Sequence, residues 1–250
     1  MVVKVGGAAL ADAAWLERFA ACAAHSSAPL LIVHGGGPEI SALSQALGIP
    51  VEWHEGRRVT TPAVLDAAAM VLTGLINKRL VAALVCAGVD AIGLSGIDGG
   101  LVRAAIARDG TLGRVGRVSA VRAGLLQRLS ADGSTIVLSP ISLGEDGGAL
   151  NVNADEVAAA VAIAVGASEL VFLTDVAGVR GAGGVAAALG AREAAELVAS
   201  GAASGGMAVK LAAACSALEA GVSAVRIGDL ETLTSASAGT VLRRSLEAVA

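Results

Sequence analysis

The chain has 250 residues, of which 55% are apolar, and its formal net charge is −4 at pH 7. This length is enough for one large or two small hydrophobic cores. The slightly acidic balance, with no stripe of basic residues, argues against nucleic-acid binding. Charged or polar residues interrupt the apolar runs before the roughly 18 residues that a membrane span needs, so no membrane partner is expected.

The start of the chain and its cysteines bear on the cellular compartment. The first predicted strand begins at Val2, which leaves no room for the regions of a signal peptide. Cys22, Cys86 and Cys215 are far apart, odd in number and without CxxC spacing. Buried reduced thiols are therefore expected rather than disulfides or a zinc site. We predict a cytoplasmic protein.

In chain order, short apolar runs alternate with longer alanine-rich segments of helical periodicity. The runs predict buried strands at 2–5, 30–33, 91–94, 135–138, 170–173 and 224–227. The alanine-rich segments predict helices at 11–25, 38–47, 62–87, 120–129, 154–165 and 207–220. Strands that are apolar along their whole length are typical of a parallel sheet covered on both faces. The alternation indicates an α/β sandwich.

Two stretches break this alternation. Residues 101–118, in which three glycines separate short apolar runs, predict a β-hairpin, and residues 51–60 look similar. No obvious linker divides the chain, so we predict a single domain with two lobes.

Several common catalytic motifs are missing from the sequence. It contains no GxxxxGK[ST], no HExxH and no GxSxG. The three histidines, His25, His34 and His54, make histidine-based acid–base chemistry a poor expectation. The segment GAGGVA at 181–186 fits the dinucleotide fingerprint, but its strand ends at Leu173 and the fingerprint should follow its strand at once. We interpret it as a mobile loop.

Glycine-rich turns follow the first two predicted strands. Lys4-Val5-Gly6-Gly7 begins at the first strand, and His34-Gly35-Gly36-Gly37 follows the second. Open α/β sheets bind ligands at this edge, and glycine lets the backbone approach an anion closely. Each motif alone is also explained by a tight turn between a strand and a helix.

Polar residues recur at the same predicted edge further along the chain. The segment 151–155 places Asn151, Asn153 and Asp155 before an apolar helix, and a helix cap accounts for only one of them. Lys210 lies one turn into a helix that is predicted to begin after a glycine pair, where the helix dipole favours anions. Arg57 and Arg58 form a cationic pair that a solvated surface would also explain.

Taken in order, these segments resemble the amino acid kinase family, and within it the branch that acts on N-acetyl-L-glutamate. The matching motifs are KVGGAAL, VHGGGPEI, GRRVT, GLSGIDGG, NVNADEVA, LTDVAGV and GGMAVK, and GTVLRR resembles the closing strand of the family. The resemblance implies a three-layer αβα sandwich with an open, mainly parallel central sheet. It further implies an amino-terminal lobe, about 1–142, for the acyl amino acid and a carboxyl-terminal lobe, about 143–250, for ATP.

The resemblance also implies roles for individual residues. Lys4 and Lys210 would contact the transferring phosphoryl group, and Asp155 would orient both lysines. The implied acyl-amino-acid residues are Gly36, Gly37, Asn151 and Arg58, the last facing the α-carboxylate. The implied nucleotide-binding residues are Gly6, Gly7, Asp175, Val176, Gly178 and Val179. Mg²⁺ is expected to ride on the phosphates of ATP, so no residue is assigned to a metal.

The implied reaction is ATP-dependent phosphorylation of the side-chain carboxylate of N-acetyl-L-glutamate, in arginine biosynthesis. A carboxylate with a pKa near 4.3 is ionised at neutral pH and attacks phosphorus without a general base, which suits a chain with so few histidines. Positioning and cationic stabilisation supply nearly all of the catalysis in phosphoryl transfer.

Two alternatives remain open at this point. Many relatives carry lysine at the position of Ile97. The sister kinases that act on carrier-protein-linked aminoadipate or glutamate share this departure. HGGGPEI and EGRRVT argue against that sister group, and both lysines with Asp155 argue against a non-catalytic amino acid sensor. No segment of the chain resembles the extra amino-terminal helix with which arginine-inhibited relatives form hexamers. We therefore expect a homodimer, with arginine feedback in doubt.

Overall fold

The computed structural model describes residues 1–54, 57–107, 110–181 and 183–244. Within these ranges the strands are β1 (Val2–Val5), β2 (Leu31–His34), β3 (Trp53–His54), β4 (Arg57–Arg58), β5 (Ala91–Ser95), β6 (Val102–Ile106), β7 (Val115–Val121), β8 (Thr135–Ser139), β9 (Ile141–Gly144), β10 (Ala149–Val152), β11 (Glu169–Leu173), β12 (Arg180–Gly181), β13 (Gly184–Val185), β14 (Ala188–Gly190), β15 (Ala224–Gly228) and β16 (Thr240–Arg243).

The described helices are α1 (Gly7–Leu10), α2 (Ala13–Ala24), α3 (Gly37–Ala46), α4 (Pro62–Ala69), α5 (Asn77–Cys86), α6 (Ala123–Leu129), α7 (Ala154–Val165), α8 (Ala191–Ala199), α9 (Gly205–Glu219) and α10 (Glu231–Thr234). A π-helical segment, Met70–Ile76, joins α4 to α5, and Asp98–Gly100 forms a 3-10 turn. Local chemistry sets several starts: Asp12 caps α2, Thr61 caps α4, and Asn153 caps α7.

Eight strands form the central sheet in the order β14-β16-β15-β11-β1-β2-β8-β5. The six strands from β15 to β5 are parallel to one another, whereas β16 is antiparallel to β15 and parallel to β14. Because β1 lies between β2 and β11, the carboxyl ends of three strands meet at one edge. The predicted open, mainly parallel sheet is confirmed.

Hydrophobic cores fill both faces of this sheet. On one face Val2, Val33 and Phe172 pack with the apolar sides of α6, α7 and α9. On the other, Val3 and Ile32 pack with α2, α5 and the π-helical segment. This alternation along each strand, with helices on both sides, is the predicted three-layer αβα sandwich.

The predicted elements agree with the structure at most positions. All six predicted strands are present, and α7 has the predicted bounds. Gly88 and Gly221 end their helices with φ of 84° and 106°, in the left-handed region that glycine enters freely. Two helix starts are corrected: α6 begins at Ala123 because β7 runs to Val121, and α9 includes the glycine pair that was expected to precede it.

The two irregular stretches are β-hairpins, as predicted. Strands β6 and β7 pair antiparallel, and together with β9 and β10 they close a small four-stranded barrel beside the main sheet. Strands β3 and β4 pair as a two-stranded hairpin. The segment 181–186 contributes to a further short hairpin, β12–β13, instead of the loop that was expected; Ala182 lies outside the described residues.

The helix from Pro62 to Cys86 runs for 25 residues through α4, the π-helical segment and α5. By length and composition alone it is apolar enough to cross a membrane, so the expectation that no run reaches that length is wrong for this helix. Its inner face, which includes Leu72, Ile76 and Leu80, is buried against the sheet. It therefore serves as a core helix of the sandwich.

The cysteines differ from the expectation of buried thiols. Cys22, Cys86 and Cys215 are free, but Cys86 is exposed and the other two are half-buried. Burial raises the pKa of the Cys22 and Cys215 thiols.

The two glycine turns lie in backbone contact with each other. A Cβ atom added to Gly7 would lie 2.5 Å from both the Cα and the N atom of Gly36. At Gly6 the nearest atom to an added Cβ is the Leu173 carbonyl oxygen, 3.8 Å away. Only glycine therefore fits at position 7, whereas alanine fits at position 6.

We expect Gly7→Ala to lower the free energy of unfolding by about 1–3 kcal/mol, because neighbouring backbone cannot move aside as a flexible side chain does. Gly6→Ala is the matched control, and we expect it to change the free energy of unfolding by less than about 0.5 kcal/mol. Urea denaturation followed by circular dichroism measures both. Equal stability of the two variants would contradict the packing described above.

Candidate functional site

A cavity of about 280 Å³ lies at the carboxyl edge of the central strands, close to the lower end of the size range of small-molecule sites, roughly 300–1,000 Å³. It brings together seven of the residues singled out in the sequence: Lys4, Gly7, Gly36, Gly37, Arg58, Asn151 and Asp155. These residues come from β1, both glycine turns, β4, β10 and the start of α7. The topology thus joins segments that are up to about 150 residues apart.

Two lysines converge on one carboxylate of this cavity, although Lys210 itself is not among the residues that line it. The Lys4 Nζ atom is 3.1 Å from Asp155 Oδ1, and the Lys210 Nζ atom is 3.8 Å from the same oxygen. The chain has only three lysines, the third being Lys78. No donor among the described residues is aligned to give this oxygen a hydrogen bond, so both contacts are ion pairs. Two lysines 206 positions apart therefore both lie within 4 Å of one carboxylate oxygen.

Each member of this cluster is held by a rigid element. Lys4 lies in β1, paired on both sides with Val33 and Phe172. Asp155 lies in the first turn of α7, where the helix dipole favours a carboxylate and the cap Asn153 accepts the Asp155 N–H at 2.8 Å. Lys210 lies in α9 and its ammonium is 3.5 Å from the Gly206 carbonyl oxygen.

The cluster is largely removed from water. Side-chain exposures are 8% for Lys4, 9% for Asp155 and 13% for Lys210. Burial lowers the pKa of Lys4, and the nearby Lys210 lowers it further, while Asp155 opposes both effects. One carboxylate thus faces two ammonium groups, which leaves a local excess of positive charge that a bound anion would neutralise.

Arg58 forms the second cationic element of the cavity. Its Nη2 atom donates to the Gly37 carbonyl oxygen at 2.9 Å and to Ser41 Oγ at 2.7 Å. Its Cζ atom lies 4.5 Å from the ring centre of Trp53, and burial lowers the pKa of the Arg58 guanidinium. The Nη1 atom is buried and has no partner among the described residues. This unused donor is available to an oxygen of a bound molecule.

Asn151 lies in β10 and connects the cavity to the hairpin that carries Arg58. Its Nδ2 atom is 3.3 Å from the hydroxyl oxygen of Thr60, which is fully buried. Asn153, by contrast, caps α7 with its side-chain oxygen. All three polar residues of this segment line the cavity, and Asn153 also caps the helix.

Of the residues assigned to the nucleotide, Gly7 is among those that line the cavity, and the others are not. Gly6 faces the end of β11, and Asp175 and Val176 are exposed in the loop that follows β11. Gly178 is tightly packed against Thr240, and a Cβ there would lie 2.6 Å from its Oγ1 atom. Val179 is 1% exposed and its N–H donates to the same Oγ1 atom at 2.8 Å. Gly178 and Val179 therefore hold the loop against Thr240 and are themselves buried.

Sequence reasoning missed several residues of the site. Trp53 lines the cavity beside Arg58 but was given no role, and Arg57, noted only as part of a cationic pair, lines it as well. Ile40, Leu72 and Pro140 supply an apolar wall. Helical periodicity identifies Ile40 and Leu72 as inward-facing but does not tell a core position from a cavity wall.

The described residues contain no cluster of three or more histidine, cysteine, aspartate or glutamate side chains arranged to hold a metal ion. Asp155 is the carboxylate of the cavity, and it is already engaged by two lysines. The arrangement suits an anion bound between cations, with a second anionic group facing Arg58.

The chain matches the model of the amino acid kinase family over residues 1–229. An acetylglutamate kinase of Chloroflexus aurantiacus is 48% identical over 235 residues, which are 93% of this chain and 92% of the relative. The acetylglutamate kinase of Roseiflexus sp. strain RS-1 is also 48% identical, over 93% of this chain and 90% of its own. The crystal structure of smu.665 from Streptococcus mutans UA159 superposes with a TM-score of 0.84 at 28% identity and covers 98% of both chains.

Proposed function

Because the chain belongs to the amino acid kinase family, we propose that it phosphorylates the side-chain carboxylate of N-acetyl-L-glutamate with ATP. The product is N-acetyl-L-glutamyl 5-phosphate, and the reaction is the second step of arginine biosynthesis. The observation that carries this function is the convergence of Lys4 and Lys210 on Asp155 in a cavity that also contains Arg58.

The chemistry requires a cationic environment more than it requires a base. The nucleophile is an ionised carboxylate, since a carboxyl group with a pKa near 4.3 has lost its proton at neutral pH. Its oxygen forms a bond to the γ-phosphorus of ATP while the bond from that phosphorus to the β–γ bridging oxygen breaks, and ADP leaves. Lys4 and Lys210 offset the repulsion between the two anions, and Asp155 holds both ammonium groups in place.

The acyl amino acid is oriented by the walls of the cavity. The free Nη1 group of Arg58 pairs with the α-carboxylate through a charge-assisted hydrogen bond. Asn151 and the backbone of Gly36 and Gly37 complete the polar contacts. In this assignment the acyl amino acid lies in the lobe of about 1–142.

ATP occupies the other side of the lysine pair, in the lobe of about 143–250. Its phosphates approach Gly6 and Gly7, and its nucleoside lies by the loop from Asp175 to Val179. Mg²⁺ bound to the phosphates would neutralise part of their charge. We also propose a cytoplasmic location, which fits the free thiols.

A homodimer is the assembly that the surface supports. Strand β5 is an edge of the sheet, and an uncovered edge invites pairing with another chain. Apolar side chains are exposed on β5 itself, on α5, which packs against it, and on the π-helical segment that precedes α5: Ile92 is 37% exposed, Val85 54%, Met70 61% and Leu75 51%. A second copy placed across a two-fold axis would cover both the edge and this apolar face.

A substrate panel tests the proposed function directly. Acyl phosphates react with hydroxylamine to give coloured hydroxamates, so ATP-dependent hydroxamate formation is measured with N-acetylglutamate, glutamate, aspartate and aminoadipate. We expect N-acetylglutamate to be the preferred substrate. Activity only on a carrier-protein-linked substrate would assign the chain to the sister kinases, and ligand binding without any turnover would indicate a sensor.

Replacing either lysine with alanine removes charge that acts mainly in the transition state. We expect Lys210→Ala and Lys4→Ala to lower kcat by roughly 10²–10³-fold. Arg192→Ala, which removes a 92% exposed cation from α8, is the control and should leave kcat unchanged. Turnover in both lysine variants at the wild-type rate would refute their role.

The neighbouring arginines allow a matched comparison. Arg58 is 8% exposed and held by three contacts, whereas Arg57 is exposed at the mouth of the same cavity. We expect Arg58→Ala to raise KM for N-acetylglutamate by about 10–100-fold, the loss of a charge-assisted contact, with little change in KM for ATP. Arg57→Ala should raise it by less than about threefold. A rise in KM for ATP alone would show that Arg58 does not bind the acyl amino acid.

The dimer is tested by molar mass in solution. Multi-angle light scattering is expected to give twice the chain mass of 24.3 kDa. Leu75→Glu places a charge in the apolar face and should shift the mass toward that of a monomer. Val185→Glu is the control, since Val185 is 52% exposed in β13, near the opposite end of the sheet. A monomeric wild-type protein would refute the dimer.

A further inference from the structure

His34 is a buried titratable residue to which the mechanism above gives no role. It is the last residue of β2 and directly precedes Gly35, Gly36 and Gly37. Its exposure is 0%. A histidine in this position either fills the core or controls the conformation of the turn that follows it.

The imidazole bridges the glycine turn and the long helix. Its Nδ1 atom is 3.1 Å from the Gly35 carbonyl oxygen, and its Nε2 atom is 3.3 Å from Asn77 Nδ2. Asn77 is the first residue of α5, immediately after the π-helical segment, and is itself fully buried. Interruptions of this kind in α-helices occur frequently at functional sites.

The hydrogen bonds of Asn77 fix the orientation of its amide. Its Nδ2 atom donates to the Val137 carbonyl at 3.0 Å and to the Leu94 carbonyl at 3.3 Å. Its Oδ1 atom accepts from Lys78 Nζ at 3.1 Å. The amide nitrogen, and not the oxygen, therefore faces the histidine.

This orientation sets the tautomer of His34. The two protons of the Asn77 amide are shared among the Val137 carbonyl, the Leu94 carbonyl and the ring. An amide nitrogen does not accept a hydrogen bond, so the Nε2 atom that faces it must carry a lone pair. The single proton of the neutral ring is then on Nδ1, where it donates to the Gly35 carbonyl oxygen. Burial lowers the pKa of His34 to about 4, so the ring is neutral and this tautomer applies at physiological pH.

The direction of the Gly35 carbonyl determines the direction of the next N–H. In a trans peptide the C=O and the N–H of one unit point to opposite sides. A carbonyl held toward the buried histidine turns the Gly36 N–H away from the interior, at a residue that lines the cavity. No hydrogen bond among the described residues uses the Gly36 N–H.

We propose that His34 is a positioning residue, which holds the Gly35–Gly36 peptide so that the Gly36 N–H faces the anions bound in the cavity. The expected loss of activity rests on the proposed kinase function, whereas the tautomer of His34 and the orientation of the peptide do not. The long helix supports the same turn from the other side, since a Cβ on Gly36 would lie 2.3 Å from Ile76 Cδ1. Backbone donors fixed in advance in this way cost no reorganisation during the reaction.

The tautomer is measured without any assay of activity. The chain has three histidines, and ¹⁵N NMR of protein labelled on the histidine side chains distinguishes Nδ1–H from Nε2–H. His34→Gln identifies the signals of His34 by their loss. We expect the Nδ1–H form at pH 7.5; an Nε2–H form would overturn the inference.

Two amide substitutions separate the two nitrogens of the ring. The Asn side chain places an NH₂ group near the position of Nδ1, and the Gln side chain reaches the position of Nε2. We therefore expect His34→Gln to lower kcat/KM for N-acetylglutamate by about 10–100-fold, a fraction of the cost of losing a backbone donor outright. His34→Asn should recover activity to within about fivefold of wild type, and KM for ATP should stay nearly constant in both variants.

Stability serves as the control for a merely structural role. Both substitutions remove one contact of a buried ring, so both should lower the free energy of unfolding in urea. If the activities of the two variants simply follow their stabilities, with Asn giving no rescue, His34 is a core residue and the inference fails. If the wild-type protein forms no acyl phosphate, the proposed function fails, and the NMR result alone decides the role of His34.

Discussion

The ion cluster of Lys4, Asp155 and Lys210 is the interaction on which the site depends. It joins β1 at the centre of the sheet to the first turn of α7 and the second turn of α9, two helices that lie on the same face. Two ammonium groups near one buried carboxylate are stable only if each is held by its own element, since a side chain with freedom to leave would move to water. The parallel sheet supplies that constraint, because the carboxyl ends of its strands meet at one edge. The excess positive charge then becomes a binding site for anions.

Packing around the cluster explains why the cavity is narrow and ordered. The two glycine turns touch through their backbones, and the long helix presses on the second turn through Ile76 and Leu72. Bulkier residues at these points would separate the turns and widen the cleft. The β3–β4 hairpin closes the opposite wall, where Arg58 is fixed by Trp53 and Ser41. Side chains held by packing and hydrogen bonds around a small cavity favour one orientation of a small substrate over many.

Sequence reasoning reached the fold and the central ions but not the supporting contacts. The strand Val2–Val5 and the helix Ala154–Val165 follow from continuous apolar runs and a clear cap, which are local signals. The convergence of Lys4 and Lys210 came from the resemblance of ordered motifs. Strands β9 and β10 escaped prediction because their pairing partners lie in the barrel and their own sequence mixes small and polar residues. The contact of His34 with Asn77 spans 43 positions and has no local signature.

The π-helical segment shows how one irregularity serves several parts of the molecule. Its extra residue per turn changes the phase of the helix between α4 and α5. On the inner face this phase aims Leu72 and Ile76 at Gly36 and brings Asn77 to His34. On the outer face it leaves Met70 and Leu75 exposed. A regular helix of the same sequence would rotate one of these sets away from its partners, so the geometry of the anion site and the apolar surface proposed for dimerisation are set by the same local distortion.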